Sequence, residues 1–126
     1  MSENTMVTHL GIEFTAITEN SISATMPVDH RTVQPYGILH GGASVALAET
    51  LGSVAAHASI DYNKYQSVGL EINANHIRSV NSGKVTGTAT AVHIGRSTHV
   101  WSIEIKNDEG KLVCTSRLTM AIIEKR

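Results

Sequence analysis

Gly41-Gly42-Ala43-Ser44-Val45-Ala46-Leu47-Ala48-Glu49-Thr50-Leu51-Gly52-Ser53-Val54-Ala55-Ala56-His57-Ala58-Ser59-Ile60 is alanine-rich, contains no proline, and places apolar residues on nearly every face of the helix it predicts. A helix of that kind must be buried on most sides, which puts it in the centre of the domain. About twenty residues of helix span roughly 30 Å, enough to cross the width of a small sheet. Upstream, Gly11 to Thr18 alternates Ile12, Phe14 and Ala16 with polar neighbours, and Ser21 to Val28 does the same after a Glu19-Asn20 turn, the pattern of a hairpin. Downstream, four β-like stretches follow a polar loop: Ser67 to His76, Lys84 to His93, His99 to Lys106 and Lys111 to Ile123. Turns at Asn81-Ser82-Gly83, Gly95-Arg96-Ser97 and Asn107 to Gly110 join them. This order predicts an α+β fold in which a mainly antiparallel sheet wraps around one long central helix.

The 126 residues suffice for one core, and no repeat, low-complexity tract or linker divides them, so residues 1–126 read as a single domain. A formal net charge of −1 disfavours nucleic acid as the ligand. The lone Cys114 excludes an intramolecular disulfide and a cysteine-rich metal site. Seven histidines contain no H-x-x-x-H pair, and no metal is expected. The polar start Met1-Ser2-Glu3-Asn4-Thr5 does not resemble a secretion signal, and no apolar run has membrane-spanning length. A cytoplasmic protein without a membrane partner is the resulting expectation.

Four polar groups cluster around the helix: Gln34 in the preceding loop, His40 at its threshold, Glu49 within it and Ser53 one turn later. Glu49 has little polar sequence around it. It lies either on a narrow solvent-facing strip with Thr50 and Ser53, or in an environment arranged for chemistry. His40-Gly41-Gly42 supplies first-turn N–H groups that have no intrahelical acceptor, carry the positive end of the dipole and can polarise a carbonyl oxygen. The glycines allow close approach of a ligand, or simply form a flexible junction. Gly41 and Glu49 lie about 12 Å apart along one helix, so polariser and carboxylate would meet if two antiparallel helices from two subunits face each other, or if a long substrate enters at an interface.

The segment from Gln34 through His40-Gly41-Gly42 to Glu49 and Ser53 resembles the signature of hotdog-fold acyl-CoA thioesterases. A second block, Val68-Gly69-Leu70-Glu71-Ile72-Asn73-Ala74-Asn75-His76-Ile77-Arg78, is similar to the strand that follows the helix there. With Gly95-Arg96 and Trp101 to Ile105, the likeness runs from about Gly11 to Ile123. The branch is that of the phenylacetyl-CoA and 4-hydroxybenzoyl-CoA thioesterases, closest in motif to the dihydroxynaphthoyl-CoA and enterobactin-pathway proofreading thioesterases. The resemblance implies that Glu49 is nucleophile or general base and that the Gly41 amide polarises the thioester carbonyl. Gln34 and His40 would position thioester or water, and Ser53 would hold water or the carboxylate. His76 would lie near the acyl group, with Val68 and Gly69 on the same substrate-binding strand, while Arg78, Arg96, Ser97 and Thr98 would meet the nucleotide of CoA. Coenzyme A is then part of the substrate, no separate cofactor is implied, and a homodimer assembling into a homotetramer is expected. One departure is that so few residues precede His9-Leu10-Gly11 that the longer N-terminal helix of many relatives is shortened or missing.

One carboxylate and one oxyanion donor can suffice for a thioester. A serine hydrolase is disfavoured because no G-x-S-x-G occurs, and Ser44 reads as a small packing residue. Two rival readings stand beside hydrolysis. A hotdog hydratase or dehydratase would use His40 and Glu49 for proton abstraction, but the proline-rich loop of that class is absent. A non-catalytic acyl-CoA-binding module would not require Gln34, Gly41 and Glu49 together. Acyl preference depends on how Phe14, Tyr36, Leu51, Val68 and a partner subunit pack, and branch likeness favours aryl-CoA.

Overall fold

The computed structural model describes residues 3–126; Met1 and Ser2, part of the polar N-terminal stretch, lie outside the described residues. In chain order the elements are α1 (Met6–His9), β1 (Glu13–Ile17), β2 (Ser21–Pro27), α2 (Gly41–Ala58), β3 (Tyr65–His76), β4 (Lys84–Ile94), β5 (Thr98–Asn107) and β6 (Leu112–Glu124). Six strands form one sheet in the order β1-β2-β4-β5-β6-β3, and every neighbouring pair is antiparallel. Three consecutive strands, β4 to β6, pair through short turns. β3 follows α2 directly in sequence yet pairs with β6 at the far edge, because α2 carries the chain across the sheet from β2 to the opposite side.

Alternation in the strands decides which face receives the helix. His99, Trp101, Ile103 and Ile105 of β5 are buried, and Ala24 and Met26 of β2, Val85 and Ala89 of β4, and Leu118 and Met120 of β6 join them. The helix answers with Ala43, Leu47, Ala48, Leu51, Ala55 and Ala56. Two glycines let the layers interlock. A Cβ at Gly52 would stand 2.4 Å from Leu118 Cδ2, and one at Gly87 would stand 2.7 Å from Leu51 Cδ1, so each glycine receives a leucine from the opposing layer. Leu47 and Leu51 are fully buried, and truncating either to alanine would cost about 2–5 kcal/mol. The buried thiol of Cys114, on β6 opposite His76 of β3, belongs to the same core.

Three expectations are corrected. α2 buries one broad face rather than most of its surface: Glu49 and Val54 are exposed, and Ala46, Thr50 and Ser53 are half-buried. It ends at Ala58 rather than Ile60, where Ser59 Oγ donates to Ala55 O at 2.8 Å. β1 alternates in sequence but not in burial, since all five of its residues are exposed. It is an edge strand, bulged between Phe14 and Ala16, and Ile12 just before it is the residue that reaches the core. The N-terminal helix is short but present as α1.

Candidate active site

The loop between β2 and α2 is built to hold the helix start. Thr32, almost fully buried, donates to Pro27 O at 2.8 Å and accepts from Asp29 N–H at 3.1 Å. Arg31 clasps the Asp29 carboxylate through its side chain and backbone N–H, holding that carboxyl down at about 2. From this frame His40 N–H donates to Thr32 O at 2.8 Å, and Leu39 N–H donates to Val80 O at 2.7 Å. Gln34 is fixed at both ends of its backbone by Gly37 and Ile38, and its side-chain oxygen accepts from Tyr36 N–H, which leaves its NH2 group as the free end.

The first four N–H groups of α2 have distinct fates. Ala43 and Ser44 donate to His40 O, at 3.0 and 3.2 Å, and Gly42 donates to His40 Nδ1 at 2.7 Å. Gly41 N–H has no acceptor among the described residues. A cleft of about 310 Å³ opens on it, lined by Gln34, Ser44, His76 and Arg78 among others. His76 lies so close that a Cβ at Gly41 would be 2.9 Å from its Nε2, so only glycine admits the ring there. This end of the helix is a donor half-site: a free amide at the positive end of the dipole, with an imidazole and a carboxamide beside it.

Glu49 belongs to a different cleft, of about 420 Å³, whose walls include Met6, Val7 and Leu10 of the α1 segment and Thr50, Ser53 and Val54 of α2. Its carboxylate leans onto β3, where a Cβ at Gly69 would be 3.1 Å from Oε2. Ser53 shares this cleft and Val68 flanks Gly69, 39% exposed. One chain thus keeps the free amide and the carboxylate in separate clefts, about 12 Å apart along the helix axis.

The arginines divide in the same way. Arg78 follows His76, at the end of the sheet where β3 meets Cys114. Arg96 and Ser97 of the β4–β5 turn and Thr98, which opens β5, lie at the other end: Thr98 pairs with Ala121, which pairs with Val68. Seven residue steps along β6, from Cys114 to Ala121, separate these levels, about 23 Å of strand. The two arginines of one chain therefore do not converge on one nucleotide.

Several lining residues were not legible. The α1-segment residues Met6, Val7 and Leu10 meet Glu49 through tertiary placement of an N-terminal segment whose sequence has no helical period. Ser44, 1% exposed, lies beneath Gly41; its spacing of three from Gly41 on one helical face was the available signal. His99 is buried, accepts from Trp101 Nε1 at 3.4 Å, and is pushed below the usual histidine range by burial and by neighbouring His93. Among the described residues no group of three His, Cys, Asp or Glu side chains could hold a metal, and no helix is long and apolar enough to cross a membrane.

Residues 36–114 match the Thioesterase superfamily. The 1,4-dihydroxy-2-naphthoyl-CoA hydrolase of Escherichia coli is 51% identical over 98% of this chain and 90% of its own length. A thioesterase of Pseudomonas aeruginosa superposes with a TM-score of 0.97 at 52% identity, covering 98% of this chain and 89% of that one. A Staphylococcus aureus thioesterase, solved with alanine replacing a glutamate and separately a glutamine fifteen residues earlier, gives TM-scores of 0.92 and 0.90 at 42% and 43% identity. Those two structures cover 95% and 93% of this chain and 99% and 97% of their own. With a hotdog sheet around α2 and a family match over most of its length, the chain belongs to the thioesterase superfamily and is a thioester hydrolase.

Proposed function

We propose that the protein hydrolyses an aryl-CoA, of the hydroxybenzoyl or dihydroxynaphthoyl kind, to the free acid and CoA at a site shared by two subunits. The Gly41 amide of one subunit polarises the thioester carbonyl. Glu49 of the other either takes a proton from a water that adds to the carbonyl carbon, or attacks that carbon itself to give a mixed anhydride that water then hydrolyses. In both routes the C–S bond breaks, the CoA thiolate leaves and a proton from the water offsets it. No separate cofactor takes part. The observation that carries this reading is the separation of the two functions on one chain: an amide without an acceptor in one cleft and an exposed carboxylate in another. Antiparallel pairing of two β3 edges would bring the donor half of each chain to the carboxylate half of its partner. It would also bring Arg78 of each chain toward the Arg96 turn of the other, to meet the CoA phosphates.

Support for the pairing comes from β3 itself, twelve residues long, at the sheet edge, with Val68 and Leu70 39% and 63% exposed. The Gln34 to Glu49 separation equals that of the glutamine and glutamate replaced in the Staphylococcus aureus relative. The name of the Escherichia coli relative supports an aryl acyl group. Assembly into a tetramer and a cytoplasmic setting complete the proposal.

A panel of aryl and aliphatic acyl-CoAs, assayed with the wild type and Glu49→Gln, tests it. The amide keeps size but supplies no negative charge, so kcat on aryl-CoA should fall by at least about a hundredfold with an unchanged melting temperature. A well-folded Glu49→Gln protein that turns over normally would reopen proton abstraction by His40 or His76, the hydratase chemistry.

A further inference from the structure

His40 has an exposed ring next to the helix start, yet it is not among the walls of the cleft that opens on Gly41; Gln34, Ser44 and His76 are. Its Nδ1 is occupied, accepting from Gly42 N–H at 2.7 Å, the geometry of a side-chain N-cap. An accepting Nδ1 requires that nitrogen to be unprotonated, so a neutral ring carries its hydrogen on Nε2. The carbonyl of the same residue accepts from Ala43 and Ser44. One residue therefore takes up the orphan N–H groups of Gly42 and Ala43 and, through the first i→i−4 bond of the helix, that of Ser44, and leaves the Gly41 amide alone. The glycine at 42 fits the same device, since a Cβ there would stand 2.9 Å from both Nδ1 and Cε1 of His40.

We infer that His40 is a positioning residue, whose ring acts through the Gly42 amide to lock the first turn of α2 and leave Gly41 N–H as its single outward donor. The inference rests on the reading of Gly41 as the carbonyl polariser and departs from a direct contact between His40 and the thioester. Without the ring, Gly42 N–H becomes a second unsatisfied donor, water enters, and the first turn frays, so Gly41 N–H is no longer held in one direction. The backbone around position 40 is secured independently, by His40 N–H on Thr32 O and Leu39 N–H on Val80 O. Substitution of the side chain therefore leaves the loop in place.

The test is rescue by a different cap. Asparagine is among the best N-cap residues, but its side chain is too short to reproduce the outer edge of an imidazole. His40→Ala should lower kcat by about tenfold with KM changed less than about threefold, and His40→Asn should recover most of that loss. Gly42→Ala, which displaces the ring, should resemble His40→Ala. An Asn variant as impaired as the Ala variant, or a defect carried by KM, would overturn the inference and return His40 to the substrate. Amide hydrogen exchange on the wild type reads the same device without substitution: Gly42 N–H should be protected and Gly41 N–H should exchange faster. Equal exchange at both would also overturn it. Neither the exchange readout nor the rescue depends on Glu49, so failure here is distinct from an active Glu49→Gln enzyme.

Discussion

The two ends of the site on one chain are built by different means. At the donor end, position is enforced by backbone: Thr32, Leu39 and His40 are tied into a hydrogen-bonded loop, and the first-turn amides are assigned one by one. At the carboxylate end, position comes from packing: Glu49 rests on the bare backbone of Gly69 under the α1 segment, with no hydrogen bond to its carboxylate among the described residues. The donor end is preorganised within the chain, as the proposed oxyanion stabilisation requires. The carboxylate end is open on the side that a second subunit would cover.

The largest expected effect comes from mixing chains that lack opposite ends. Glu49→Gln alone and the double variant Gln34→Ala, His76→Ala should each be nearly inactive. Exchanged one to one, they form heterodimers with one intact site, and activity should rise to about a quarter of wild type. A mixture no more active than its parts would mean that each chain completes its own site. Next in size, Arg78→Ala and Arg96→Ala should raise KM for acyl-CoA by about tenfold at low salt while short pantetheine thioesters are spared. If the two arginines meet one CoA across the subunits, mixing the two single variants should regenerate sites that retain both.

The smallest effect separates the ends by acid sensitivity. His99 pairs with Met120, which pairs with Gly69, so it lies in the row of the sheet that leads to Glu49. Its folded pKa is held below the ordinary 6.5 by burial and by His93. Below that value the unfolded chain takes up the proton before the folded chain does. The stability it contributes is thus full above the usual histidine range and is lost as pH falls through and below it. His99→Gln keeps an acceptor for Trp101, and its melting temperature between pH 7 and 5 should drop by a few degrees less than that of the wild type. Parallel declines would place the acid response elsewhere.

Much of this was legible in the sequence because local and tertiary signals agree. The β4–β5–β6 turns and the α2 start carry glycine and asparagine where the backbone bends, and the strand limits differ from expectation by one or two residues. The sheet order was not legible, because the place of β3 beyond β6 depends on a helix crossing that no local pattern encodes. The sequence left open whether Glu49 lies on a solvent-facing strip with Thr50 and Ser53 or in an enclosed environment; it is exposed, since the alanines around it are short and one flank of α2 stays uncovered. The gathering of Gln34, Gly41 and His76 followed from family likeness, whereas the cap on Gly42 needed coordinates, because a histidine before two glycines has no distinctive capping pattern.

Cys114 is the only thiol in the chain; it is fully buried and burial raises its pKa. A thiol reagent therefore has no target until the core around β6 opens, and the slow rate at which the native protein is alkylated becomes a measure of how often that opening occurs. Because Cys114 lies opposite His76 on β3, covering β3 by a second subunit should slow alkylation as protein concentration rises, giving a covalent record of assembly that requires neither substrate nor activity.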